Sequence, residues 1–394
     1  MKRVLIFLNE KDLASRGGPL GYCYNLKNGL SQLDKEIIRV EFKKGGENRR
    51  RVNDSVYGIS NKSIKKCLII IKSIVNKSLW LLLNSSDKMS HFEEYDAVHF
   101  HQTIDLYRMR RALKNYKGKV LLTIHTPTKP SFEIYDSLST FEKKYMMWLF
   151  KKFDLVDDYA VNRADYLILP CPEAEEPYYN RWNGYAELHK ANKKKYRYMV
   201  TGTAAKKALV SRDEIRKKFN IPQNAFVCTF VGRHNEIKGY EDLKVIAKEI
   251  FKKHNNIYFL IAGKEGPCFG LDNKHWIEVG WTNDPSSIIS AADVFILPNQ
   301  ETYFDLIFLE VLSLGQLIIA SNTGGNKYYK RYNTESIGLY TDSVDAVKKI
   351  EQILALSEEK RKELGNKNRL IFEKDFNEKT FAYNYIKILE EILK

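Results

Sequence analysis

The sequence predicts an α/β protein built from two doubly wound domains. Two observations carry this reading. Short apolar runs alternate with longer helical patterns along most of the chain, as βαβ units require. Most of those runs are rich in Val, Ile, Leu and Phe without clean alternation, which is how strands covered on both faces read. A length of 394 residues agrees with two domains, at roughly 150 residues each.

The predicted strands of the first series are Val4–Leu8, Ile37–Phe42, Ala97–His101, Val120–His125 and Tyr166–Leu169. A second series follows at Phe226–Val231, Ile257–Ala262, Trp276–Val279, Val294–Leu297, Leu317–Ala320 and Ile337–Tyr340. The boundary falls within residues 200–225, where small residues give way to a charged helix, then Ile221–Pro222, then a new strand. The closing segment KTFAYNYIKILEEILK is an amphipathic helix with no strand after it.

Composition narrows the partners. A formal net charge of +15 points to a phosphorylated ligand, nucleic acid or an anionic membrane surface, without choosing among them. The five cysteines are scattered and form no CxxC pair, which favours free thiols in a reducing cytosol. The opening MKRVLIFLNEKD reads as a first strand and not as a signal peptide. No run of about 20 uncharged apolar residues predicts a membrane span.

Residues 64–83 read as a helix with Lys65, Lys66, Lys72, Ser73, Asn76 and Lys77 on one face and Leu, Ile and Trp80 over the rest. Two readings stand: a helix packed on the first sheet with its lysines in water, or a basic amphipathic helix resting on anionic lipid.

Three stretches carry chemistry. ASRGGPLGY follows the first strand; Gly17 and Gly18 let the backbone approach a ligand at a helix start, though the spacing is not GxGxxG. FVGRHNEIKGYEDL places Arg233 and Lys238 after a strand end, where parallel sheets bind ligands and where two cations suit a diphosphate. NQETYFDLIFLEVLSLG holds Glu301, Asp305 and Glu310 around a helix start; a carboxylate there suits the two hydroxyls of a ribose. His99 and His101 share one face of a strand, with His125 on another. They lack acidic or thiol partners at ligand spacing and so predict no metal site. No DxD pair occurs.

Those blocks resemble a known family. From Phe226 to Gly325 the order VGRHNEIKGYEDL, IAGK, VGWTNDPSSIISAADVFILP, ETYFDLIFLEVLSLG, IASNTGGN is similar to the C-terminal domain of family-4 retaining glycosyltransferases with the GT-B fold. RGGPLGY, DAVHFH, LLTIHTP and ADYLILP resemble the N-terminal half less tightly. The resemblance implies two Rossmann-like domains facing across a cleft. They would comprise residues 1–203 with 380–394 on the acceptor side, the last helix crossing back, and 204–379 on the donor side.

It also implies roles. Arg233 and Lys238 would hold the donor diphosphate, and Glu310 the nucleotide ribose. The segment Thr302, Tyr303, Phe304, Asp305 and Leu306 would meet phosphate and sugar. Trp281 and Thr282 would border the nucleobase, Gly17 and Gly18 would approach the donor, and His125 would lie beside the transferred sugar. The departure is at the first acid. Glu301 stands one position early, Thr302 occupies the acid position and Asp305 the glycine position, so either Glu301 or Asp305 would face the sugar.

The implied activity is a cytoplasmic, metal-independent, retaining transfer of a hexosyl or N-acetylhexosaminyl group from a nucleotide diphosphate sugar, expected to be a UDP-sugar. No cofactor is implied, because cations and helix N-termini neutralise the leaving diphosphate in such enzymes. The expected acceptor is a lipid-linked glycan of surface polysaccharide assembly. The alternatives are a protein acceptor or a non-catalytic nucleotide-sugar or glycan-binding subunit. Nucleic acid is not an expected partner, since no recognition motif accompanies the charge.

Overall fold

The structure, a computed structural model, describes residues 1–8, 13, 18–33, 38–43, 61–82 and 91–394. Its chain divides into two compact units. The first comprises Met1–Leu169, Tyr178–Met199 and Ala382–Lys394; the second comprises Pro170–Pro177 and Val200–Phe381. The segment 170–177, which the sequence reading placed in the first domain, thus groups with the second unit.

In the first unit the described strands are β1 (Lys2–Phe7), β2 (Ile38–Phe42), β3 (Ala97–Phe100), β4 (Lys119–Leu122), β5 (Tyr166–Leu169) and β6 (Tyr196–Tyr198). They form one sheet of order β2-β1-β3-β4-β5-β6, parallel throughout. In the second unit they are β7 (Phe226–Val231), β8 (Ile257–Ala262), β9 (Trp276–Gly280), β10 (Val294–Leu297), β11 (Leu317–Ser321) and β12 (Ile337–Tyr340). Their order is β12-β11-β10-β7-β8-β9, again all parallel. Every residue of β3 and of β10 is buried, as the unbroken apolar runs required.

Each order reverses direction once, between β1 and β3 in the first sheet and between β7 and β10 in the second. At such a reversal the loops leaving the two neighbouring strands diverge to opposite faces and open a crevice at the carboxyl ends. The topology therefore nominates two places before any side chain is considered: the loops after β1 and β3, and the loops after β7 and β10.

Local signals set the helix starts. Ser139 and Ser211 each close a capping box with the glutamate three residues on, Glu142 and Glu214. Such caps contribute about 1 kcal/mol each. The closing helix runs Glu378–Ile392, and its Tyr385 and Leu389 are fully buried.

Candidate functional site

In the second unit, the loop after β7 carries Arg233 and Lys238. Two close approaches shape it. A Cβ on Gly239 would lie 1.7 Å from the Pro298 carbonyl oxygen, and Gly239 has φ +67°. Only glycine lets the helix Tyr240–Lys253 start this close to the end of β10. The same contact brings Lys238 to the loop after β10, and the Gln300 N–H donates to the Ile237 carbonyl at 3.0 Å.

The Lys238 ammonium donates to Asp305 Oδ2 at 2.7 Å, and the Asn299 side-chain amide donates to the same oxygen. Asp305 is the N-cap of the helix Leu306–Ser313 and makes no side-chain cap bond to it. Its φ of −74° is open to any residue, so this position needs no glycine. Asp305 thus joins the helix N-terminus to the lysine of the neighbouring loop. Glu301 is half-buried in the same loop. Thr302 is 1% exposed, and its carbonyl accepts from the Gly325 N–H at 3.2 Å. The TGG turn explains that contact. Cβ atoms on Gly324 and Gly325 would sit 2.0 Å from the carbonyl oxygens of Thr302 and Tyr303 respectively.

Glu310 lies one turn beyond Leu306, on the same side of the helix. Its Oε1 pairs with the Lys206 ammonium at 3.1 Å. Phe304 is turned away from solvent, packed beside Tyr328, Tyr329 and Phe376; Tyr303 is half-buried next to it. Arg233 is exposed, and among the described residues no carboxylate pairs with it. Trp281 is 75% exposed. It follows Gly280, whose carbonyl accepts from Gly263 N–H at 2.9 Å. The Thr282 hydroxyl accepts from Asp284 N–H at 3.0 Å.

Between Arg233 and Lys238 the chain buries His234, which stacks on Tyr240 at 4.2 Å. Burial, partly offset by Glu278 and Glu265, pushes its imidazole below the ordinary histidine range. Its carbonyl accepts from Cys268 N–H at 3.0 Å. One inward histidine therefore anchors a loop that leaves Arg233 exposed and holds Lys238 against Asp305.

In the first unit the loops after β1, β3 and β4 border a cavity of about 530 Å³, lined in part by Gly18, Lys77, Trp80, His101, His125 and Asp157. Gly18 has φ +74° and precedes Pro19 at the start of the helix Pro19–Leu30. Gly17 lies outside the described residues. The two histidines meet directly, His101 Nδ1 to His125 Nε2 at 2.9 Å. Behind them His99 bonds the Tyr385 hydroxyl at 2.9 Å and the Thr123 hydroxyl at 2.8 Å. Burial pushes His99 and His125 down to about 3, and His101 well below its ordinary value. The group is neutral at neutral pH. It offers this cavity hydrogen bonds and no positive charge. Among the described residues no cluster of three or more His, Cys, Asp or Glu has the arrangement of a metal site.

The sequence reading missed Lys206, Asn299 and Asp157, and it placed Lys77 on a helix face without a site role. Lys206 sits in the boundary segment and touches Glu310 only through the fold. Asp157 is raised to about 6 by burial, against the hydrogen bonds it accepts from the Thr103 hydroxyl and the Ser131 N–H. The helix Lys62–Leu82 also differs from the reading that left its lysine face in water. Ser73 and Lys77 turn inward onto Glu142, and the Lys77 side chain is 12% exposed. Glu142 is held by the Ser139 capping box, which fixes a buried carboxylate for them to meet.

Comparison with known proteins places the two halves. The model described as Glycosyltransferase Family 4 matches residues 16–183, and that described as Glycosyl transferases group 1 matches residues 211–370. The O-antigen biosynthesis glycosyltransferase WclY of Escherichia coli is 24% identical over 268 residues, 63% of this chain and 67% of that protein. The UDP-Gal:alpha-D-GlcNAc-diphosphoundecaprenol alpha-1,3-galactosyltransferase of Escherichia coli is 26% identical over 173 residues, 40% of this chain and 44% of that protein. Among solved structures, sucrose-phosphate synthase from Thermosynechococcus elongatus superposes with TM-score 0.64 at 19% identity, covering 100% of this chain and 99% of its own. At that identity the likeness shows the fold.

Proposed function

Because this chain belongs to the family-4 glycosyltransferases, we propose that it moves a sugar from UDP to a lipid-linked glycan with retention at the anomeric carbon. The observation that carries this reading is the arrangement after β7 and β10. Exposed Arg233, Lys238 on Asp305, and the N-terminus of Leu306–Ser313 occupy the reversal point of a parallel sheet. Cations and free N–H groups there suit a diphosphate.

In this proposal Arg233 and Lys238 hold the two phosphates, and Lys238 exchanges Asp305 for phosphate oxygen when the donor enters. Glu310, steadied by Lys206, accepts the ribose hydroxyls, and Trp281 borders the base. The bond from the anomeric carbon to the phosphate oxygen breaks while the acceptor oxygen bonds that carbon from the same face. The acceptor proton passes to the departing phosphate oxygen. Fixed cations stabilise the charge that develops there, so the chemistry requires no metal. Neutral His125 orients hydroxyls by hydrogen bonding. A lipid-linked acceptor and a role in polysaccharide assembly are supported by the relatives, one acting in O-antigen biosynthesis and one on a diphosphoundecaprenol substrate.

The test is to incubate the protein with nucleotide sugars, with and without lipid-diphosphate acceptors, while following UDP release and product anomer. UDP release that requires one sugar and one lipid acceptor, gives a retained product and survives chelation supports the reading. Loss on chelation with rescue by a divalent cation contradicts its metal independence, and an inverted product contradicts retention. A second reading has an observation of its own: Asp305 occupies Lys238. A non-catalytic binding subunit would bind UDP-sugar and release no UDP under any of these conditions.

A further inference from the structure

The helix Lys62–Leu82 shows its apolar side to solvent. Ile64, Leu68, Ile71, Val75, Leu79 and Leu82 are each between 38% and 69% exposed. At about 100° per residue these six fall within an arc of about 80°. The opposite side is occupied, since Ile74, Trp80 and Leu81 pack with Leu149, Phe150 and Phe153. The partner segment behaves alike. Along the helices Thr140–Tyr145 and Met147–Phe150 and the first turn of Phe153–Arg163, Phe141, Tyr145, Trp148 and Leu155 are each between 49% and 64% exposed.

The charges around these residues have one sign. The helix Lys62–Leu82 contains five lysines and no acid; the half-buried Lys65 and Lys72 border the apolar arc, and the exposed Lys62 and Lys66 lie on the far side of the helix. The neighbouring segment exposes Lys143, Lys144, Lys151 and Lys152. Both of its acids are engaged within the protein. Glu142 is held by Ser139, Ser73 and Lys77, and Asp154 by Lys129 and Ser131. The exposed acids Glu133 and Asp136 belong to the preceding helix Pro130–Asp136.

We infer that these two segments form one docking surface for an anionic lipid bilayer. An apolar stripe edged on one side by the half-buried Lys65 and Lys72, next to a segment that exposes Tyr145, Trp148 and four lysines, matches what a bilayer interface takes: apolar side chains under the headgroups, aromatic rings at their level and ammonium groups on the phosphates. A second copy of the chain fits less well, because pairing this surface with itself would oppose lysines to lysines. No described helix is long and apolar enough to cross a membrane, so the contact is with the surface only. The inference does not depend on the donor reading, but it bears on the acceptor. Lys77 and Trp80 of the same helix line the first unit's cavity, so docking would bring that cavity to a lipid-borne substrate.

The test uses the full chain and two vesicle types, phosphatidylcholine alone and an equal mixture of phosphatidylcholine and phosphatidylglycerol. Co-sedimentation should occur with the mixed vesicles only and weaken as salt rises. The triple substitution Ile71→Ser, Val75→Ser, Leu79→Ser should reduce it at least about tenfold, as should Lys143→Glu with Lys144→Glu and Lys152→Glu, given the contribution of each apolar and basic group at such a surface. Both variants should keep the wild-type melting temperature and its rise with UDP, which separates this proposal from the donor reading. Equal binding to neutral vesicles, binding unchanged in both variants, or no binding to either vesicle would overturn it. So would a dimer in sedimentation velocity that the apolar substitutions dissolve.

Discussion

The two sheets have the same strand count and the same single reversal, yet their reversal points are opposite in chemistry. After β1 and β3 the first unit gathers histidines that burial keeps neutral. After β7 and β10 the second gathers formal charges in pairs, Lys238 with Asp305 and Lys206 with Glu310, beside exposed Arg233. The backbone makes a crevice in both; the side chains decide what it receives. A nucleoside diphosphate suits the second, and the hydroxyls of a glycan suit the neutral histidines of the first.

The contrast breaks most sharply at Lys238. Lys238→Ala removes a cation from the leaving group and leaves Asp305 with the Asn299 amide, so turnover should fall by at least about 10²-fold, the scale of losing one preorganised electrostatic group. Initial rates with saturating acceptor check this, and a fall of twofold or less would take Lys238 out of the mechanism. Glu310→Gln should weaken UDP binding by roughly tenfold to a hundredfold, the range for a hydrogen bond to a charged group. Calorimetry measures it, with thermal unfolding as the control for the freed Lys206.

A smaller effect sharpens the carboxylate question. Asp305→Asn should lower kcat about tenfold, and Glu301→Gln less, because Asp305 is the acid in contact with the phosphate-binding lysine. The reverse ranking would assign the sugar to Glu301, and no change in either would leave both acids structural.

The first unit answers to pH instead. The ordinary histidine value is 6.5, and His99 is pushed down to about 3. Below pH 6.5 the unfolded chain takes a proton that the native state refuses until about pH 3. Stability is therefore full above 6.5 and falls as pH drops toward 3, by up to ~1.4 kcal/mol per pH unit for each such histidine. Denaturant midpoints across that window should show a shallower slope for His99→Gln. The smallest effect is at Trp281: it is 75% exposed, so Trp281→Ala should leave stability within about 0.5 kcal/mol while weakening donor binding.

Much of this was legible in the sequence, for identifiable reasons. Unbroken apolar runs such as FVCTFV and VFIL are the signature of parallel strands, and eleven predicted strands appear at or near their places. The twelfth, Tyr196–Tyr198, escaped because three residues with a central arginine carry no pattern. Arg233 and Lys238 were readable because they follow a strand end. Lys206 was not, since its meeting with Glu310 spans about a hundred residues of chain. The glycine position filled by Asp305 looked like a defect in register. Its φ of −74° shows that the backbone there never needed glycine. The helix at 64–83 misled for a different reason. Periodicity finds two faces but does not say which one is inward, and a buried Glu142 drew the Ser73 and Lys77 side.

The central claim is that the second unit's charged crevice holds a nucleoside diphosphate through both phosphates. Calorimetric titration of the full chain with UDP and with UMP tests it directly. The account predicts binding of UDP at least about tenfold tighter than UMP, a difference that Lys238→Ala largely abolishes. Equal affinity for the two nucleotides, or a difference untouched by Lys238→Ala, would contradict it.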